Sequence, residues 1–340
     1  MSISVSDLTK TFDGQAAVQG VSFDVPQNAL FCVVGPSGCG KSTLLRLIAG
    51  LETPDSGSIA LDGSPMAGAG AMVSPEERQV GVVFQSYALW PHLSVERNVS
   101  FPYEAQGVTA SEALKRANKH LETVSLGTLA KRRPEALSGG QRQRVALARC
   151  LAGNARTILM DEPLANLDPH LRSAMETELR AFHDRSGVTT LYITHDQREA
   201  MALADIMAVM DSGRMLQIGT PQDIYDRPCS RSVARFVGRG TLIDADVTKG
   251  RARICGQDVP VEGTGEGQQM VFVRPRNITV GGEGWPVTVT SAHYRGGYWE
   301  VTARGDGLDS AICLDLPQPV RPGERLPVTF TGGWVLPDAD

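Results

Sequence analysis

The stretch Gly35-Pro36-Ser37-Gly38-Cys39-Gly40-Lys41-Ser42-Thr43 constrains this chain more than any other. It fits the spacing G-x-x-x-x-G-K-S/T, and both flanks suit it. Leu30-Phe31-Cys32-Val33-Val34 reads as a buried strand, and Leu44-Leu45-Arg46-Leu47-Ile48-Ala49 reads as a buried helix. The glycines let backbone N–H groups turn inward around a phosphate chain. The helix start adds the favourable end of its dipole, roughly half a positive charge. Lys41 is expected to reach the β- and γ-phosphates of a nucleoside triphosphate, and Ser42 to hold Mg²⁺ through its hydroxyl. The plain alternative, a glycine turn between strand and helix, is set aside because the full spacing and both flanks are right.

Further polar residues fall where strands should end. Gln79-Val80-Gly81-Val82-Val83-Phe84 is a strand ending on Gln85, an amide placed to sense Mg²⁺ or an attacking water, or else a strand-end cap. Thr157–Pro163 is a buried strand ending in Asp161 and Glu162, which is costly without a nearby cation. Asp161 is the natural Mg²⁺-side ligand, and Glu162 could polarise the water that attacks a γ-phosphate. Thr189–Thr194 ends on His195. A lone histidine is usually structural, but open α/β sheets bind ligands at the edge that His195 shares with Gln85 and Glu162.

Leu137-Ser138-Gly139-Gly140-Gln141 precedes a helical run, with Ser138 as a cap and a double glycine leaving amides bare. It is a second anion site that the chain could lend to a neighbour. Asp168-Pro169 opens a helix in the favoured order, cap then proline. Ile3–Leu8 and Ala17–Val25 alternate as strands around a Phe12-Asp13-Gly14 turn. The Phe12 ring could stack on a purine, although by itself it is better read as sheet packing. Residues 64–75, rich in Gly, Ala, Pro and Met, read as a surface loop. The aromatic segment from Tyr87 to Val95 either packs beneath the loop or offers an apolar surface to another chain. A closing hairpin over 206–219 and a helical stretch to Val237 bring the first domain to residue 238.

These residues together resemble the ATP-binding subunit of an ABC transporter: loop 35–43, Gln85, the signature Leu137 to Gln141, Asp161-Glu162, Ala165-Asn166-Leu167-Asp168 and His195. They follow the family's order over residues 3–238, and the stretch Tyr87 to Val99 resembles importer subunits of the maltose, polyamine and ferric-iron type. The resemblance implies an α/β cassette, with a RecA-like P-loop core plus a helical subdomain, over 1–238. It implies ATP and Mg²⁺ as ligands, Glu162 as catalytic base, and His195 at the γ-phosphate. Phe12 would stack on adenine, overturning the sheet-packing preference. Two copies would pair head to tail, each signature closing on the partner's ATP. Two membrane-spanning permease subunits, fed by a separate solute-binding protein, would dock on Gln85 and the aromatic segment at the cytoplasmic face of the membrane. Phe12 stands where tyrosine is common, and in Val273-Arg274-Pro275-Arg276 the arginine replaces a usual acidic residue.

Residues 239–340 differ in character. Helical periodicity disappears, Val287–Thr290 and Trp299–Ala303 alternate with period two, and glycine pairs recur at 281, 296 and 332. A small all-β, OB-like domain is expected. Such barrels often bind nucleic acid, and Trp285, Tyr294, Tyr298 and Trp299 could stack on bases. Residues 241–340, however, carry nine Lys/Arg against thirteen Asp/Glu, the wrong sign for an electrostatic funnel. Dimer contact or sensing of a small ligand fits better, and no nucleic-acid partner is expected.

The formal net charge of −5 points the same way. No apolar run approaches the ~20 residues that span a bilayer, and Met1–Val5 does not read as a signal peptide. Cysteines 32, 39, 150, 229, 255 and 313 are scattered, which suits a reducing compartment. A soluble ABC-type ATPase working on nucleic acid or ribosomes would predict two cassettes, a coiled-coil insertion or a basic surface. A nucleotide-binding regulator without turnover would have lost Glu162 or His195. The expectation is therefore a peripheral ATPase that energises import of a small solute, with ferric iron, a polyamine or a small oxyanion or phosphonate favoured over a sugar.

Overall fold

The apolar runs at 30–34, 157–161 and 189–194 are buried along nearly their whole length, as parallel strands covered on both faces must be. They form the centre of a six-stranded sheet. Its order is Arg214–Gly219, Ile206–Asp211, Leu30–Val34, Thr189–Thr194, Thr157–Asp161, Val80–Val83, and the first of these alone runs antiparallel to its neighbour. This computed structural model describes residues 1–68 and 70–337. A second, antiparallel sheet comprises Gln15–Val25, Ile3–Phe12, Ser56–Leu61, Ser64–Gly68 and Ala71–Met72. The helix Lys41–Ala49 shares one core with both sheets: Leu44, Leu45, Leu47 and Ile48 are fully buried against Phe31, Leu159, Ile3 and Ile59. Apolar residues on nearly every side of this helix account for that placement.

Arg78 secures the far end of the same helix. Its guanidinium donates to the carbonyls of Leu47 and Ile48, each at 2.9 Å, and to Val73 at 3.0 Å. A cation is favourable at a helix C-terminus, although burial lowers the pKa of this one. The helix stops at Gly50, in the left-handed region at φ 79°, where a Cβ would lie 2.5 Å from Arg78 Nε.

Three helices, Val95–Ala105, Ala110–Thr123 and Gly139–Ala152, form the helical part. The buried Asn98 side chain organises the preceding aromatic segment, accepting from the Trp90 amide and donating to the carbonyls of Trp90, Leu93 and Ser94.

Residues 64–75, expected as a loop, instead carry the strands Ser64–Gly68 and Ala71–Met72; Ala69 lies outside the described residues. Proline and glycine are tolerated here because the pair sits at the rim of an antiparallel sheet, and Ala67 is buried.

The chain divides into compact units Met1–Pro221 and Gln222–Asp340. The expected helical stretch is two short helices, Pro221–Asp226 and Arg231–Phe236, and the interactions of Arg274 explain why they belong with the second unit. Buried Arg274 donates to the carbonyls of Tyr225, Val237 and Arg239, with its guanidinium 3.8 Å from the Tyr225 ring centroid and 4.4 Å from that of Phe272. Burial pulls its pKa down to about 10, against the opposing pull of the Asp226 charge. Trp334 Nε1 adds a bond to Pro228 O at 3.0 Å. Arg276, the departure from an acidic residue, reaches Asp226 at 2.5 Å.

The second unit is all-β beyond these helices. A five-stranded sheet (Gln257–Pro260, Arg251–Ile254, Thr241–Thr248, Gly267–Val273, Trp334–Val335) and a four-stranded sheet (Ile312–Leu316, Trp299–Arg304, Ile278–Tyr294, Arg325–Phe330) close over one core. Val287, Val289, Val301 and Ala303 face inward, as their alternation predicts. Of the aromatics weighed for base stacking, Trp285 packs on Phe330, its ring nitrogen donating to Asp306 O, and Trp299 packs against Tyr294.

Candidate functional site

The parallel strands of the first unit deliver their carboxyl ends to one edge of the sheet. There Val34 enters the phosphate loop, Val83 leads to Gln85, Asp161 leads to Glu162, and Thr194 leads to His195. Strand order puts the ends of 30–34, 189–194 and 157–161 side by side.

The loop's glycines are demanded by close approach. A Cβ on Gly35 would lie 2.0 Å from Met210 O, and one on Gly40, at φ 108°, 2.0 Å from Ala17 O. Pro36, Ser37 and Gly38 form the exposed rim, while Thr43 sits in the helix's first turn. Gly40 occupies the cap position of the Lys41 helix without a side-chain cap, so the leading amides are kept for an external acceptor. Lys41 is 3% exposed and folds back on the loop, donating to Gly35 O at 2.8 Å and Pro36 O at 2.9 Å. Cys39 Sγ lies 3.8 Å from the ammonium; burial pushes this thiol up, against the pull of Lys41.

Ser42 Oγ donates to Asp161 Oδ1 at 2.9 Å. Burial pushes the Asp161 carboxyl up, the Ser42 bond opposes it, and the Glu162 charge adds to it. A cation beside this oxygen would offset that penalty. A hydroxyl and a carboxylate are hard oxygen donors, which suit Mg²⁺ shared with phosphates rather than a cage built by protein alone. Among the described residues no group of three His, Cys, Asp or Glu side chains could hold a metal.

Glu162 and His195 meet, with Nδ1 3.1 Å from Oε1. Glu162 takes a left-handed backbone, φ 45°, and its N–H donates to Ile193 O at 3.0 Å, so the sheet ladder itself holds it beside the histidine strand. Such a backbone is uncommon for a non-glycine residue and is concentrated at functional sites. The His195 side chain is 50% exposed and that of Glu162 21%, so the pair opens to solvent. Gln85 lies just beyond its strand with an exposed side chain, and its carbonyl accepts from Asn166 at 3.0 Å.

Phe12 ends its strand at a hairpin. It pairs with Gln15 across Asp13 and Gly14, both at positive φ, the two-residue turn that matches strand twist. Its ring is 42% exposed, with Lys10 Nζ 5.2 Å from the centroid, so it is not consumed by sheet packing.

At the second glycine site the structure corrects the sequence. Ser138 Oγ accepts from the Gln141 amide and Gln141 Oε1 accepts from the Ser138 amide, a closed capping box. The amides are therefore only partly bare. Gly139 and Gly140 also serve packing: their Cβ atoms would lie 2.5 Å from Leu167 Cδ2 and 2.7 Å from Met175 Sδ. Exposed Asp168 starts the helix Pro169–Ser186, its carbonyl accepting from the amides of Leu171 and Arg172.

The aromatic segment is part buried and part exposed. Tyr87 is buried, whereas Trp90 packs at a tilt against the exposed Phe101, ring centroids 4.5 Å apart, with the Arg149 guanidinium 4.9 Å from its ring. Sequence reasoning overlooked Arg172, Glu199 and Arg78. For Glu199 there was a signal: with Ala200 and Leu203 it falls on the buried stripe of its helix, where a carboxylate is out of place.

Residues 18–165 match the family model described as ABC transporter, and residues 271–336 match that of the TOBE domain. The spermidine/putrescine import ATP-binding protein PotA of Methylococcus capsulatus is 39% identical, over 97% of this chain and 91% of its own length. The Fe(3+) ions import ATP-binding protein FbpC of Escherichia coli K12 is also 39% identical, over 99% and 98%. Among solved structures, the dimeric ATP-binding cassette MJ0796 in a post-hydrolysis state bound to ADP and Pi superposes with a TM-score of 0.55 at 28% identity, covering 64% of this chain and 98% of that one.

Proposed function

From the premise that the chain belongs to the import ATP-binding subunits of the ABC transporter family, we propose that it drives uptake of a small solute by closing and reopening as a homodimer. It is an ATPase and uses ATP with Mg²⁺. The observation that carries the reading is the convergence on one sheet edge of the phosphate loop, the Ser42–Asp161 pair and the Glu162–His195 pair.

In this reading Lys41 exchanges its loop carbonyls for the β- and γ-phosphate oxygens, and the loop amides cradle the chain between them. Ser42, Asp161 and Gln85 would hold Mg²⁺, which would supply positive charge to neutralise the phosphates. Glu162 accepts a proton from the attacking water, and His195 orients the γ-phosphate, leaving its Glu162 contact as nucleotide enters. Phe12 stacks on the adenine. Ser138, Gly139, Gly140 and Gln141, with Asp168, approach the nucleotide held by the partner copy.

Two permease subunits dock on the surface bearing Gln85, Trp90 and Phe101, and a separate solute-binding protein supplies them; the chain works peripherally at the cytoplasmic face. Among the described residues no helix is long and apolar enough to cross a membrane, so another chain would supply the channel. The solute proposed is ferric iron, a polyamine, or a small oxyanion or phosphonate. Equal identity to relatives named for polyamines and for Fe(3+) supports the view that solute choice resides in the other subunits.

The test is recovery of tagged Glu162→Gln protein from gently solubilised membranes with ATP present. A copurifying polytopic membrane protein is the expected result. Ribosomes or nucleic acid without one would overturn the importer reading.

A further inference from the structure

Behind His195 lies a hydrogen-bonded cluster that no phosphate-binding motif includes. Glu199, only 2% exposed, accepts two hydroxyl donors at one oxygen: Tyr192 at 2.8 Å and Thr194 at 2.7 Å to Oε2. Thr194 Oγ1 in turn accepts the Asp196 amide at 2.9 Å, and Asp196 Oδ1 accepts the Arg198 amide at 2.8 Å. Both neighbours of His195 are thus tied to one carboxylate, Thr194 directly and Asp196 through the threonine hydroxyl.

Arg172 closes the cluster from another element. Its Nη1 donates to Asp196 Oδ2 at 3.0 Å, and its Nε lies 3.6 Å from Glu199 Oε1, an ion pair beyond hydrogen-bond length. The Arg172 amide donates to Asp168 O at 3.0 Å, so this guanidinium belongs to the first turn of the helix that Asp168 starts.

We propose that Glu199 is a positioning residue for His195, and that Arg172 ties the His195 turn to the helix start at Asp168 so that the two move as one body. The proposal rests on the role given to His195 above. A buried carboxylate is expensive, and well-packed apolar residues in its place would often be as stable. Here it holds the turn on either side of an imidazole that is itself half exposed, so the backbone, together with the Glu162 contact, orients the ring. Tyr192 is a dependable donor to it, because burial first, and then the Glu199 charge, keep its phenol protonated.

The experiment is steady-state ATPase kinetics of the full chain as His195→Ala, Glu199→Gln, Arg172→Gln and the Glu199→Gln/His195→Ala double variant, each with a thermal melt and an ATP titration. Glutamine offers both hydroxyls only a neutral amide oxygen, a weaker acceptor than the carboxylate, and presents an amide donor, not an oxygen, to Arg172. The expected result for Glu199→Gln is a kcat lower by about 10²-fold, the scale of an ångström's misplacement, with the KM for ATP within about 2-fold. In the His195→Ala background the same substitution is expected to add less than about 2-fold, since residues acting through one group are not additive. Fully additive losses would assign Glu199 a merely structural role and overturn the proposal. So would an unchanged kcat in Glu199→Gln when His195→Ala is impaired. Normal turnover by His195→Ala would remove the histidine's role and this proposal with it. Should Glu199→Gln not fold, Arg172→Gln, altered at a partly exposed side chain, is judged by the same kcat split and the same double variant with His195→Ala.

Discussion

At Gly40 the helix Lys41–Ala49 begins without a side-chain cap, whereas at Ser138 the helix Gly139–Ala152 begins inside a closed capping box. Both starts are rich in glycine, and by sequence both read as anion sites. The glycines of the first approach backbone oxygens, Met210 O and Ala17 O, which cannot move aside. Those of the second approach the ends of the Leu167 and Met175 side chains, which can. The first start leaves its leading amides without a side-chain cap, open to an external acceptor. The second satisfies part of itself and keeps only its first turn to offer a neighbour. A glycine-rich helix start therefore reports a phosphate site only when its amides are not already accepted locally.

The sharpest way to break this comparison is Gly40→Ala. A Cβ against Ala17 O at a φ of 108° is expected to cost more than about 3 kcal/mol in chemical denaturation and to abolish nucleotide binding. Next is Lys41→Ala, which is expected to weaken ATP binding by at least about 10²-fold, the loss of two charge-assisted bonds, with the fold retained. A fluorescent-nucleotide titration measures it, and wild-type affinity would refute the role of Lys41. At the second start Gly139→Ala is expected to change stability by less than about 1 kcal/mol, side-chain adjustment offsetting the better helix propensity. Its ATPase rate should still fall about tenfold, equivalent to roughly 1.4 kcal/mol, because the partner's nucleotide would meet the new methyl. An unaffected rate would argue against closure on a second ATP. The smallest effect is that of Ser138→Ala, about 1 kcal/mol of unfolding free energy from loss of the cap. A change near zero would mean that the box contributes little.

What the sequence disclosed follows the same division. The strands ending at Asp161, Glu162 and His195 were legible because a short, continuous apolar run that stops on charge is hard to place anywhere but in a buried parallel strand. The alternating strands of the C-terminal unit were legible for the same reason at period two. The strands at 64–68 and 71–72 were not, since short strands near a sheet's rim can be built from glycine, proline and methionine without showing a β pattern. Nor was the capping box read at Ser138, although Gln141 stands three residues on, because the double glycine drew the reading towards bare amides. Arg172 and Glu199 belong to no short motif; their meeting depends on two helices lying against the 189–194 strand, a tertiary fact that local spacing does not carry.

The Arg274 cluster bears on how such chains can be recombined. Its guanidinium is held by carbonyls and ring faces from Tyr225, Val237, Arg239 and Phe272, so the cation and its acceptors must be inherited together. A chimera joined after residue 238 would graft the arginine without Tyr225 and Val237, leaving a buried charge to find new acceptors in a foreign sequence. A crossover at 221/222 carries the whole cluster across intact. The transplantable module therefore begins in the two short helices, ahead of the first strand that announces it.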